Sequence, residues 1–202
     1  ITNIRRHRPK PGLRPQHLEA VKGSARICHA EVSGAVENST ELRFTPGRVD
    51  PGRHRFEIHT AGSAALLLQT VALPLAFAGA ESHVEIRGGT HVPWSPCADY
   101  LEWQWAHWLG RIGFHIEPRL LRAGFYPQGG GELQATVRPA AATDSIRCLE
   151  RGELRSVTIR SVACNLPEHI AERQMKRAIE RLDRLFEMEP KQEIGRASCR
   201  ER

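Results

Sequence analysis

Arg5, Arg6, Arg8, Lys10 and Arg14 crowd into the stretch "IRRHRPKPGLRPQHL" (4–18), which three prolines and a glycine stiffen before it runs into Gln16 and His17. Guanidinium forks grip phosphate oxygens in pairs, so a stiff basic segment suits an anionic ligand; the bland alternative is a solvated loop. Three further segments carry groups an anion could use. "HTAGSAALLLQT" sets Gly62 and Ser63 at a predicted helix N-terminus, where unpaired N–H groups and the helix dipole favour a phosphate. Gln69 interrupts that helix with an amide, which is costly inside an apolar element unless it bonds something. "RGGTHVPWSP" and "FYPQGGGE" are Gly/Pro loops flanking predicted strands, where backbone can approach a ligand closely. No GxxxxGK[ST] occurs, so a nucleotide site here is not a P-loop.

The elements that position these groups read from periodicity. Residues 14–30 predict an amphipathic helix with Leu18, Val21, Ala25 and Cys28 on one face. "TELRFTP" (40–46) and "HRFEIHT" (54–60) alternate as half-buried strands around the turn "GRVDPG". An apolar helix at 64–78 precedes the strand "HVEIRGGT" (83–90). A helix near 99–111 places Leu101, Trp105, Trp108 and Ile112 on one face, and the strand 131–139 follows a Gly129–Gly131 turn. Trp103, Trp105 and Trp108 suggest a base-stacking surface, although aromatics at helical spacing more often fill a core. Helix, strand and glycine turn in 64–90 and again in 99–139 suggest an internal repeat. A strand at 154–166 and a helix at 167–188, striped with Ile170, Ala178, Ile179, Leu182, Leu185 and Phe186, lie beyond a composition shift near 140–152.

The whole chain sets the class. Its 202 residues carry a formal charge of +6, and only four of 29 basic residues are Lys. Polyanionic partners are mildly favoured, though an Arg-rich codon usage explains the ratio equally well. Five scattered cysteines without a CxxC pair argue against a disulfide scaffold and a structural zinc site, so reduced thiols and a cytoplasmic location are expected. The most apolar run, 64–80, is too short for a bilayer and holds Gln69 and Pro74, so no membrane association is expected. The start at Ile1 and the ending "EIGRASCRER" (193–202), which resembles the translation of a sequencing adapter, mark a piece of a longer protein. Residues 193–202 are expected to be an adapter-derived tail and are set aside as foreign to the fold.

Taken together, "PGLRPQHL", "TAGSAALLLQT", "RGGTHVPWSP…DY" and "GFYPQGGGE", in this order, strongly resemble the RNA 3'-terminal phosphate cyclase family over about residues 1–190. The resemblance implies an α/β fold of repeated units, each a four-stranded sheet backed by two helices. Residues 1–150 would be part of that large domain and 151–192 the start of a smaller α/β insert. The implied reaction turns an RNA 3'-phosphate into a 2',3'-cyclic phosphate, using ATP and a divalent metal (Mg or Mn), through His–AMP and RNA-adenylate intermediates. Residue by residue, the resemblance assigns Arg5, Arg8, Gln16 and His17 to substrate phosphates, with orientation of its neighbours as the alternative role of His17, and Gln69 and Pro96 to the adenylate. The implied partners are RNA with a 3'-phosphate end and ATP, with no obligatory protein partner.

Three departures bear on activity. Arg6-His7 stand where the family has small residues. The Gly-rich segment with the family's metal-binding Glu lies before Ile1, so no metal ligand is assigned here. The nucleophilic His lies beyond residue 202, and none of the ten His present matches it, so this polypeptide alone is expected to be inactive. The rival readings are a non-catalytic, cyclase-like RNA-binding protein of ribosome biogenesis and a generic basic RNA-binding module.

Overall fold

Apolar residues occur on almost every side of Ala64–Ala76, and that segment is the centre of the structure. In the computed structural model, which describes residues 1–58, 61–184 and 190–196, this helix buries Ala64, Ala65, Leu67, Leu68, Val71, Ala72, Leu75 and Ala76. Full burial of a Leu side chain contributes about 1.5–3 kcal/mol, so Leu67, Leu68 and Leu75, each at most 1 % exposed, dominate the core. The chain divides into two compact units, Ile1–Ile146 and Arg147–Arg202.

In the first unit, α1 (Pro15–Cys28) leads into a short antiparallel pair, β1 (Glu31–Ser33) and β2 (Arg43–Thr45). β3 (Arg53–Glu57), α2 (Ala64–Ala76) and β4 (Ser82–Gly88) follow as a parallel crossover. A helical stretch comes next: α3 (Ala98–Tyr100), a π turn (Leu101–Trp105) and α4 (Ala106–Gly110). β5 (Ile116–Arg122) and β6 (Gly131–Val137) then complete a four-stranded sheet in the order β3-β4-β6-β5, antiparallel across β4/β6 and β6/β5. Strict alternation makes the sheet one-sided. Val84, Ile86, Leu133, Ala135 and Val137 are buried in the core with α2. His83, Glu85, Arg87, Glu132, Gln134 and Thr136 occupy the opposite face.

Several sequence expectations are corrected. α1 buries Gly23, Ile27 and Cys28, not a face centred on Leu18 and Val21. Gly23 is the close-packing point, since a Cβ there would lie 2.6 Å from Leu67 Cδ1. The π turn adds a residue to the third helical stretch, its end marked by the Ala106 N–H bonding the Leu101 carbonyl. Leu109 therefore joins Leu101 and Trp105 on the core while Trp108 and Trp103 stay exposed, at 38 % and 46 %. The segments 64–90 and 99–139 are not two copies: both build the one sheet. The pattern that does recur is a helix followed by an antiparallel pair, in α1–β1–β2 and again in α3–α4–β5–β6. β5, missed in the sequence, contains Pro118, which an edge strand tolerates because one side has no partner.

In the second unit β7 (Thr158–Ala163) pairs in parallel with β8 (Lys191–Arg196), joined through α5 (Glu168–Leu182). The helix buries Ala171 and Met175, with Ile170, Ala178, Ile179 and Leu182 half-buried beside them. Ser161 Oγ donates to the Ala171 carbonyl at 2.8 Å. Residues 193–196, set aside as a foreign tail, are part of β8, because extended backbone pairs through its peptide groups whatever its side-chain pattern. Cys164 is disulfide-bonded, contrary to the expectation of reduced thiols; scattered spacing says little about approach in three dimensions. Cys28, Cys97 and Cys148 are free. His59, Thr60, Leu185, Phe186 and 197–202 lie outside the described residues.

Candidate functional site

Prolines and a glycine hold the basic segment as a tight loop, tied to the chain by Ile4 N–H to the Thr40 carbonyl (3.0 Å) and Gly12 N–H to the Ile4 carbonyl (2.9 Å). Arg5, with φ +55, turns inward and donates through Nη1 to the carbonyls of Lys10 (2.6 Å) and Gly12 (3.2 Å). Part of its donor set is thus spent on shaping the loop that carries Arg8. Arg6, His7, Arg8 and Lys10 are exposed. Arg14 pairs with Glu37 at 3.1 Å and Asn38 Oδ1 at 2.6 Å, so the fold absorbs its charge.

Helix α1 opens at this loop, and its first turn carries two of the expected site residues. His17 Nδ1 accepts the Arg14 N–H at 2.9 Å, capping the start of α1 from its third residue. Burial lowers the His17 pKa from 6.5, with the Arg5 and then the Arg14 charges adding to it. A neutral Nδ1 is what this cap requires, and through it His17 helps to fix the end of the loop at the start of α1. Gln16 reaches across to α2: its Oε1 accepts the Ser63 N–H at 2.5 Å and its Nε2 donates to the Ser63 carbonyl at 3.3 Å.

Ser63 caps α2 by accepting the Leu66 N–H at 3.0 Å, and its hydroxyl also makes a short hydrogen bond with the Ser95 hydroxyl. Ser95 Oγ in turn donates to the Pro96 carbonyl at 2.9 Å. The expected free N–H groups at this helix start are therefore largely engaged, since Ala64 N–H bonds the Gly89 carbonyl at 2.8 Å and Ser63 N–H bonds Gln16. Gln69 is half-buried on the flank of α2 and not in its core, and no buried side-chain N or O among the described residues lacks a partner. Its amide borders solvent, so core burial does not explain it. Gln16 and, through Ser95, Pro96 are thus brought together around Ser63, while His17 follows Gln16 on α1 close enough to Arg5 for that charge to act on it. Gln69 sits along α2, six residues or about 9 Å beyond Ser63 at 1.5 Å per residue, and Arg8 is at the exposed loop.

Sequence reading named no role for a second cluster inside the Gly-rich motifs. Thr90, 1 % exposed, accepts the Gly124 N–H at 2.9 Å, and its Oγ1 lies 2.8 Å from His91 Nδ1. His91 Nε2 lies 2.8 Å from Asp99 Oδ2, and its ring stacks on Phe125 with centroids 5.2 Å apart. The imidazole thus bridges the Thr90 hydroxyl and the Asp99 carboxylate. Gly124 must be glycine, since a Cβ there would fall 2.2 Å from the Gly131 nitrogen. The paired "GGT" and "GGG" motifs were the visible signal, but their hydroxyl and imidazole partners follow only from the fold. Among the described residues no group of three or more His, Cys, Asp or Glu is placed to hold a metal, and no helix is long and apolar enough to cross a membrane.

The family model for RNA 3'-terminal phosphate cyclase matches residues 1–186. The chain is 45% identical over 194 residues to the RNA 3'-terminal phosphate cyclase of Methanopyrus kandleri, covering 96% of this chain and 55% of that protein. It is 42% identical over 175 residues to that of Salmonella agona (87% and 51%) and 46% identical over 179 residues to that of Staphylothermus marinus (88% and 50%). The chain thus spans about half the length of the curated relatives it matches. A match over nearly the whole sequence, on a fold in which the four quoted motifs meet around one sheet end, places the chain in the RNA 3'-terminal phosphate cyclase family.

Proposed function

We propose that the full-length protein carries out an ATP-dependent cyclisation of RNA 3'-phosphate ends in the cytoplasm. The observation that carries this reading is the convergence of Gln16, Ser63, Ser95 and Pro96, contributed by three of the family's motifs, with the exposed Arg6 and Arg8 on the loop that leads into the first of them. A phosphate monoester resists attack by its own 2'-OH because its oxygens are poor leaving groups; transfer of an adenylyl group from ATP supplies a good one. The residues here bind and orient. Arg8, exposed on a loop braced by Arg5, offers a bidentate fork to the RNA phosphate. Pro96 is held beside the α2 start by the Ser95–Ser63 bond and offers an apolar surface to a nucleotide base, while Gln69 offers an amide at the solvent border of the same helix. Among the described residues no group of His, Cys, Asp or Glu is placed as a metal centre, so no step is assigned to these side chains through one.

The test uses full-length protein with a ribo-oligonucleotide bearing a 3'-phosphate. ATP-dependent conversion to a phosphatase-resistant end supports the reading. RNA binding without any ATP-dependent change in the end favours the non-catalytic ribosome-biogenesis alternative and overturns the enzyme.

A further inference from the structure

Three aromatic rings on two neighbouring loops face solvent at this end of the sheet. Trp94 is 100 % exposed, Tyr126 is 70 % exposed and Phe125 is 43 % exposed. Trp94 also has φ +63, a left-handed backbone that bulky residues rarely adopt and that persists only where the surroundings impose it. Exposed rings at chance positions are ordinary, but here the supporting loops are fixed. The backbone bridges His91 to Phe125, Thr90 and His91 N–H both donate to the Gly124 carbonyl at 2.9 and 3.0 Å, and Asp99 holds the His91 ring under Phe125. The two loops are therefore held side by side, and the Phe125 ring is fixed on His91, before any ligand arrives, which removes part of the ordering entropy from binding.

The charge beside it selects the occupant. Ser95, next to Trp94, bonds Ser63, which bonds Gln16 at the start of α1. The residues just before α1 are the exposed Arg6, His7, Arg8 and Lys10. Flat rings next to cations match an unpaired polynucleotide, whose bases stack on aromatic faces while its phosphates meet guanidinium groups. From this we infer that Trp94, Phe125 and Tyr126 form a base-stacking platform for the unpaired nucleotides just upstream of the RNA 3' end. It deepens the RNA-end reading above and rests on it. Stacking is tolerant of base identity, so the platform selects for single-strandedness rather than sequence.

The experiment is binding of full-length protein to a 5'-fluorescein hexaribonucleotide with a 3'-phosphate, followed by anisotropy. Trp94→Ala and Tyr126→Ala should each weaken binding by about tenfold, the loss expected for one base–aromatic stack, while Trp94→Phe retains most of the affinity. An abasic nucleotide next to the 3' end should weaken wild type but add little to the loss in the Trp94→Ala/Tyr126→Ala double variant. Wild-type binding with both single variants within twofold overturns the platform and leaves the RNA-end reading standing. A lowered thermal midpoint with unchanged RNA affinity also overturns it, since the rings would then be covered by protein. Absence of RNA binding by wild type overturns the RNA-end reading together with the platform.

Discussion

The side-chain amide of Gln16 closes on a single residue, taking the Ser63 N–H with its oxygen and giving its own N–H to the Ser63 carbonyl. One side chain of α1 thereby fixes the start of α2, and with it the loop that carries Pro96. Gln16 thus shapes the site from behind, whatever it also touches in substrate.

Gln16→Ala should accordingly lower stability as well as activity. Two lost hydrogen bonds, one of them to a helix-start N–H, give about 1–2 kcal/mol by urea unfolding. An unchanged unfolding midpoint would mean that the amide is not anchored to Ser63.

Ser63→Ala removes the α2 cap and should destabilise by about 1 kcal/mol. Ser63→Asp keeps a capping acceptor but adds negative charge beside the proposed nucleotide site. It should retain most of the stability while raising the KM for ATP, read from paired unfolding and steady-state assays.

Arg5 and Arg8 should fail differently. Arg5→Ala frees the carbonyls of Lys10 and Gly12 from their clamp and should loosen the loop, raising amide hydrogen exchange over residues 5–13. Arg8→Ala should leave exchange and midpoint unchanged yet slow RNA cyclisation at least tenfold, the loss of one charge-assisted contact of about 1.5–3 kcal/mol. Gln69→Ala should slow ATP consumption with little effect on RNA affinity.

His17 predicts a pH dependence of stability. Its pKa is lowered in the fold by burial and by Arg5 and Arg14, so the unfolded chain binds the proton more readily. Stability from this group is complete above the unfolded value near 6.5 and declines as pH falls toward the folded value. Gln at this position keeps an acceptor for the cap, so His17→Gln should flatten that decline. The measurement is the difference in urea midpoint between pH 7.5 and 5.5 for the two proteins; equal differences would count against it.

Gly124→Ala would force a Cβ against the Gly131 nitrogen. Overpacking of backbone on backbone should lower stability by about 1–3 kcal/mol or more, seen as a reduced unfolding midpoint.

The long elements were legible because their periodicity is strong: α1, α2, β4, β6, β7 and α5 all lie where alternation or helical spacing puts them. What failed has definite causes. Gly23 carries no hydrophobic weight yet is the contact point of α1 with α2. The π turn shifts the helical phase by one residue, so Trp108 and Leu109 exchange places. Pro118 hides β5 from any propensity reading. At the site, motif resemblance pointed to Gln16 and Pro96, but their meeting through Ser63 and Ser95 joins residues 16, 63 and 95, which no local pattern relates. His91 and Asp99 were inside a quoted motif and still unread, because seven intervening residues must fold before the imidazole and carboxylate meet.

Pro118 has a consequence for how molecules of this protein meet one another. β5 is the outer strand of its sheet, and an outer strand offers a row of unpaired peptide groups to any passing chain. Pro118 deletes a donor from that row, and the register shift between Leu120 and Arg122 bends the strand away from flatness. At the opposite border β3 exposes the charged Arg53, Arg55 and Glu57, and charged side chains on an outer strand discourage pairing with another chain. Both borders of the sheet are thus poor templates for edge-to-edge pairing between copies.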